Sequence, residues 1–329
     1  MTLSRTTIRG LRTTPFARAV VARWRTLAPM DDGPTLVACS GGADSLALLL
    51  ALASAEPESI RVAHVLHDMR PREDTFRDAE HVRSIAQALS LPFVQREVTG
   101  ADTEARARRL RYDALGDLAR DHGCPFVATG HHADDQLETF IMRAIRGASP
   151  AGLRGIAEQR RLTPGVRLVR PMLTVTHDDC AACCEQAGVA WREDPTNTDT
   201  SRTRAALRAR VLPALRTIRP DAAKRVSDAA RLQRDAYQLV RQQSEMFRRD
   251  DRCWTRDELR STRNVVIAQR LREDAITLGA PPDRLTQRHL TPVLRAIRDS
   301  VTDPRTFEWG GGVRVRVTAH EVSLFRDAR

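Results

Sequence analysis

The sequence predicts an α/β chain: a doubly wound parallel sheet, followed by a smaller, mostly helical C-terminal domain that ends in a β-hairpin. Three observations predict it. Short apolar runs alternate with longer segments of helical period up to about residue 218, the pattern of strands joined by crossover helices. At one junction an apolar run stops at Ser40-Gly41-Gly42, and an alanine- and leucine-rich run of strong helix propensity follows. Beyond Arg219-Pro220 the strand-length runs give way to long helical segments.

In chain order, residues 1–30 are a basic N-terminal stretch carrying an amphipathic helix over 16–27. The first strand is Leu36, Val37, Ala38 and Cys39. Strands over 60–66, 93–98 and 126–129 alternate with helices over 75–89 and 103–122. Ligands in such sheets sit beyond the carboxyl ends of the strands, where 40–45, 64–71 and 130–138 all fall. The Gly-, Ser- and Pro-rich 147–155 reads as a loop after a helix ending near Ile145. A strand over 167–173, a helix over 177–187 and an arginine-rich helix over 202–216 complete a catalytic domain spanning 31–218. In the second domain, 219–329, helices are expected over 222–248 and 256–277, and a hairpin over 306–325 turning at Gly310-Gly311-Gly312.

With 329 residues, 41% of them hydrophobic, the chain can fill two cores. Its apolar runs fall well short of a membrane span and no apolar signal core follows the amino terminus, so no membrane partner is expected. Six cysteines do not make a disulfide scaffold at this length, which points to a reducing cytoplasm. A net charge of +11 and a pI near 10.6 favour a polyanionic partner, nucleic acid above all. Lys224 is the only lysine; genome base composition explains a preference for arginine but not the sign of the charge. Aromatics at 4% argue against a stacking platform of the single-strand-binding kind.

The glycine loop is the centre of the chemistry. Its two glycines let backbone N–H groups approach a ligand, and the helix start adds unpaired donors and a positive dipole end, so it should hold an anion. Ser40 and Ser45 can donate to the same anion, whereas Asp44 would repel a phosphate unless a cation lay between them; Asp44 is therefore read as a magnesium ligand. A Walker A loop needs a lysine that is absent here.

In GHHADDQLET (130–139), Asp135 and Glu138 share a helix face. With Asp44 they suit a cation or a substrate ammonium group, and His131 or His132 a phosphate oxygen or leaving group; the plainer reading makes Asp134 a helix cap and the histidines surface residues. In EARARRLRY (104–112), Arg108 and Arg111 either neutralise phosphates or form a solvated face. His64 and His67 in HVLHDMRP (64–71) either line a nucleotide pocket or belong to a core strand and its turn. Cys180, Cys183 and Cys184 have a metal spacing, but with no second pair nearby their i, i+3, i+4 pattern reads as core. WREDPTN (191–197) is an acidic turn, a cap or a clamp, ahead of the arginine-rich helix.

The order Ser-Gly-Gly-x-Asp-Ser resembles the pyrophosphate loop of the N-type ATP pyrophosphatases, which cleave ATP between its α and β phosphates. SGGADS (40–45), EARARRLRY, GHHADDQLET, RGASPAGLRGI (146–156), RPML (170–173) and WREDPTN together resemble the tRNA(Ile)-lysidine synthetase family of the PP-loop superfamily, over about residues 36–215. The resemblance implies an adenine nucleotide alpha hydrolase-like fold. It also implies ATP and Mg2+ as cofactors, and free L-lysine and tRNA(Ile) with a CAU anticodon as partners. The anticodon cytidine would be adenylated at its C2 oxygen, and lysine would then displace AMP. By position, Ser40, Gly41, Gly42, Ala43, Asp44 and Ser45 would bind ATP, Asp44 also holding the metal, while Asp135 and Glu138 would receive lysine and a proton from its ammonium. Arg108, Arg111, Arg204 and Arg208 would meet phosphates of ATP or tRNA, with Arg111 in the catalytic set.

Three positions depart from the family pattern: Leu66 for Asp, Asp68 for Gly and Ala205 for Asn. The chain is shorter than the longest members, so a far C-terminal anticodon-stem domain is expected to be reduced or absent. The rivals are a tRNA thiolase on the same loop, which would want paired C-x-x-C ligands or a catalytic cysteine, and a non-catalytic tRNA-binding relative. The oligomeric state stays open.

Overall fold

Leu36 and Val37 of the first strand, β1 (Thr35–Ala38), are both fully buried, but in different cores. Successive strand side chains point to opposite faces, so this sheet is covered on both, as parallel sheets are. The computed structural model describes residues 8–69, 71–192, 203–282 and 285–327. Arg70, Arg202 and the acidic turn from Glu193 to Asn197 lie outside the described residues, as do the first seven residues of the basic N-terminal stretch. The chain forms two compact units, 1–139 with 156–228 and 140–155 with 229–329.

In the first unit, six strands lie in the order β3-β2-β1-β4-β6-β5. β2 (Ile60–His67), β3 (Phe93–Val98), β4 (Phe126–Ala128) and β6 (Val166–Val169) run parallel to β1, with Val37 opposite both Val62 and Ala128. One face packs against α1 (Pro15–Leu27), α2 (Ala43–Ala55), α3 (Arg72–Ala88) and α6 (His177–Ala187), and the other against α4 (Glu104–Asp121). α1 begins at an N-cap, Thr14, and buries Ala17, Val20, Val21, Trp24 and Leu27 at helical spacing. α2 is buried nearly all round, which its unbroken Ala and Leu run allows. The predicted parallel sheet and its helices are those observed. The strand expected over 167–173 stops at Val169, just before Pro171, which has no N–H for a ladder.

β5 (Gln159–Thr163), antiparallel on β6, was not expected. Its QRRLT sequence is that of a charged edge strand, which carries no apolar alternation to recognise. Next come α5 (Ala133–Ile145) after β4, then α7 (Thr203–Ala206), a π-helical turn over Leu207–Val211 and α8 (Leu212–Ile218).

In the second unit, α9 (Ala222–Glu245) supplies its part from residue 229 on. The single helix expected over 256–277 is two, α10 (Arg256–Ser261) and α11 (Asn264–Thr277), separated by extended backbone at Thr262 and Arg263. The break is sealed by Arg298, whose guanidinium donates to the carbonyls of Arg260 and Thr262. α12 (Gln287–Arg298) went unread because Pro292 sits inside it. The expected hairpin is part of a four-stranded antiparallel sheet, β7-β10-β9-β8, in which β8 (Arg305–Glu308) turns through Gly310–Gly312 into β9 (Val313–Val317). β10 (Glu321–Arg326) then returns between β9 and β7 (Cys253–Thr255). Among the described residues no helix is long and apolar enough to cross a membrane.

Candidate functional site

The chain leaves β1 through Cys39, Ser40, Gly41 and Gly42 and enters α2 at Ala43. Gly42 caps the helix in extended backbone with no side chain bonded to the first turn, which leaves those N–H groups without a capping side chain. Gly41 adopts φ +91°, open to glycine. Ser45 binds the loop together: its hydroxyl accepts from Ser40 N at 3.1 Å and donates to the Gly42 carbonyl at 3.0 Å.

The turn after β4 lies directly on this loop. A Cβ at Gly130 would stand 3.0 Å from the Asp44 backbone carbon and oxygen and 3.1 Å from Ser45 N, so any other residue would force the loop backbone to give way by a few tenths of an ångström. Asp135 accepts from the backbone N–H of His132 at 3.2 Å, taking the capping place at the start of α5. Asp134, the expected cap, instead reaches across to accept from His177 N at 2.9 Å and from Arg216 of α8 at 2.9 Å.

These turns converge on Asp44. Its carboxylate accepts from His177 Nδ1 at 2.7 Å and lies 3.4 Å from Nε2 of the buried His132. Ligand atoms of Asp44, His132 and His177 all fall within 4.8 Å of one another. Burial works against the Asp44 charge, but hydrogen bonds from His132 and His177 outweigh it and hold the carboxyl below the usual carboxylate range. Burial likewise opposes charge on His132, and the surrounding Asp135, Asp134 and Asp44 overcome it, raising its proton affinity well above normal.

Asp135 and Glu138 share one guanidinium. Arg208, on the π-helical turn, donates to Glu138 Oε1 and, at 3.0 Å, to Asp135 Oδ1. Burial raises the Glu138 pKa despite Arg208, whereas the charges of His132 and Arg208 overcome burial at Asp135 and lower its pKa. Arg208, expected among phosphate contacts, therefore has its guanidinium on the acids. Arg204 is exposed on α7, close enough for its charge to favour the Glu138 carboxylate.

A neighbouring cluster holds Arg108, which lies 3.1 Å from His131 Nε2 and donates to the Tyr112 hydroxyl at 3.0 Å; Thr129 lies 2.9 Å from His131 Nδ1. Burial lowers the proton affinity of His131, keeping it neutral. His64 is buried with Nδ1 2.8 Å from the Cys39 carbonyl, so it braces the strand behind the loop, and the Arg111 charge reaches it. His67, half-buried, ends β2.

The three departures are accommodated by the fold. Leu66 and Ala205 are buried, and Asp68 accepts from the N–H groups of Gly100 and Ala101 at 2.6 and 3.0 Å. Cys180, Cys183 and Cys184 lie in the core beneath the loop, the Cys184 thiol 3.4 Å from the Ala43 carbonyl. The sequence reading missed His177, Asp134, Arg216 and Gly130 as members of the site. His177 opens a helix that follows a parallel strand, a position that marks a sheet's ligand end.

Among known proteins, the chain is 36% identical to a tRNA(Ile)-lysidine synthase of Rhodopirellula baltica, over 60% of this chain and 56% of the relative. It is 40% identical to that of Salinispora arenicola, over 60% and 61%. The chain thus matches under two thirds of the length of these curated relatives. A solved U34-tRNA thiolase from Methanococcus maripaludis, holding a [4Fe-4S] cluster, aligns over 67% of this chain and 79% of its own with TM-score 0.53 at 15% identity, a likeness of fold. A family profile described as PP-loop domain (ATP_bind_3) matches residues 18–215, which hold all six strands of the first unit's sheet and the glycine loop, and this chain therefore belongs to the PP-loop domain family.

Proposed function

We propose that the chain joins free L-lysine to C2 of the cytidine at the first anticodon position of tRNA(Ile) with a CAU anticodon, with cleavage of ATP to AMP and pyrophosphate. The observation that carries this reading is the pairing of an anion-binding loop with two carboxylates, Asp135 and Glu138, that already share a cationic side chain. An ammonium group can take the place of that guanidinium. The names of the relatives support the substrate, and the PP-loop domain supports ATP.

In the first step the cytidine O2 attacks the α phosphorus of ATP and pyrophosphate leaves toward the Ser40–Ser45 loop, whose N–H groups and hydroxyls meet its charge. In the second, the side-chain amine of lysine attacks C2 and AMP departs with the oxygen. The amine must first shed a proton. Glu138, whose pKa burial raises, is the better acceptor of the two acids, and Asp135, kept ionised, holds the ammonium. Mg2+ fits at Asp44, since this ion commonly takes one or two carboxylates with substrate phosphates, and there it would neutralise charge on the departing pyrophosphate. His132 and His177 orient the Asp44 carboxylate for that role. Arg108 and Arg111 are assigned to phosphates, and 219–329 to gripping the tRNA. The buried thiols do not favour sulfur transfer.

The test is incorporation of labelled lysine into a CAU-anticodon transcript, with AMP and pyrophosphate measured alongside. Asp135→Asn and Glu138→Gln should reduce incorporation at least tenfold more than pyrophosphate release, about 1.4 kcal/mol of difference between steps. Equal losses would undo the division of roles, and no lysine-dependent product would reject the function.

A further inference from the structure

The RGASPAGLRGI stretch has no part in the site above, yet Ser149, Pro150 and Ala151 within it wall a cavity of about 480 Å³ in the second unit. Val265 and Ala268 of α11 and Leu290 and Leu294 of α12 line its apolar side. Arg272, Arg295 and Arg298 stand around it, and among the described residues no carboxylate lines it. Val265 is 38% exposed, an apolar surface left in water.

The walls are set before any ligand arrives. Arg298 is held by two carbonyls and by Asn264 Oδ1 at 3.0 Å, and Arg272 donates to the Pro282 carbonyl at 3.0 Å. Gln233 donates to the Pro150 carbonyl at 3.3 Å. The Arg154 guanidinium stacks 3.9 Å from the Tyr237 ring centre, and the Tyr237 hydroxyl accepts from Gln269 at 2.6 Å. Arg295 differs: it is exposed and its side chain makes no hydrogen bond or ion pair among the described residues. With Arg288, Thr291 and Arg298 it lies along one face of α12, since the intervals are three or four residues.

A preformed apolar slot with amides and arginines around it, and no acid among its described lining residues, selects a flat, weakly polar group that carries a phosphate. We propose that it holds an unstacked nucleotide of the RNA substrate, other than the cytidine that reacts. The base lies against Val265, Ala268, Leu290 and Leu294, and its phosphate on Arg295. The basic face of α12 carries the adjoining backbone, so position is set by phosphates and the slot recognises one extruded base. This rests on the RNA reading of the proposed function and adds a second contact to it.

The experiment is chemical probing and affinity measurement of a full-length CAU-anticodon transcript with the whole chain. The expected footprint includes one unpaired nucleotide outside the anticodon loop. Thr291→Trp, which fills the mouth from the rim, and Arg295→Glu, which reverses the free charge, should each weaken binding about tenfold and expose that nucleotide, while Arg295→Lys keeps most of the affinity. Unchanged affinity and footprint in both variants, or a wild-type footprint confined to the anticodon, overturns the slot and leaves the RNA reading intact. A wild-type chain that does not bind the transcript overturns both.

Discussion

Gly130 shows how much a single missing side chain decides. Its Cα approaches the Asp44–Ser45 peptide so closely that an added methyl presses on that peptide group, and backbone cannot swing aside as a side-chain tip can. Gly130→Ala should therefore displace the α5 turn from the loop, costing about 1–3 kcal/mol of stability and at least tenfold in ATP-dependent pyrophosphate release. Calorimetry and a release assay check it. Arg208 and Glu138 offer a second measurement. The Glu138 side chain is 2% exposed and its partner 42%, so removing Arg208 leaves a buried acid while water screens part of the loss. A double-mutant cycle of Arg208→Ala and Glu138→Gln should give a coupling of about 1–2 kcal/mol, and near-additive losses would show the pair to be incidental. Asp135 and Glu138 were legible as a pair because helical spacing is local. His177 was not, because it meets Asp44 across 133 positions of sequence.

Among the elements, α6 carries three cysteines whose i, i+3, i+4 pattern reads as core, and all three are buried. Their spacing alone allows a metal site; what decides against it is burial beneath α2, where no open face remains for a cluster. Burial pushes Cys183 and Cys184 up to about 12 and Cys39 up to about 11, from an ordinary 9.0. Between 9.0 and those values the folded thiols keep protons that the unfolded chain releases, so stability should fall as pH rises from about 9 to about 12. Urea melts across that range check the sign. At pH 8 a thiol reagent should label the half-buried Cys253 in the native state, and the buried cysteines only on unfolding. Fast native labelling of Cys180 or Cys183 would reopen sulfur chemistry. The elements that went unread lack a local signal for separate reasons: β5 is a charged edge with no apolar alternation, and α12 contains a proline that tertiary packing tolerates.

For the whole molecule, the net charge of +11 sets the expected behaviour toward RNA. Binding that rests on arginine–phosphate pairs releases counterions, so affinity for the transcript should fall by about 10³ or more between 50 and 200 mM salt if six or more phosphates are neutralised. A flat salt dependence, measured by filter binding, would remove the arginines from that role. The sequence by itself determined the order of parallel strands and helices in the first unit and the glycine turn between β1 and α2, because apolar period, glycine pairs and capping act over a few neighbouring residues. It also carried the expectation of a polyanionic partner, since charge is a sum that needs no coordinates. Only the tertiary structure decided that Asp44 faces two histidines, that Arg208 covers the acid pair, and that the 146–156 loop walls a cavity. Each of these depends on distant segments meeting in space, and nothing local in the chain encodes which of its many arginines, acids and histidines the fold will bring within a hydrogen bond of one another.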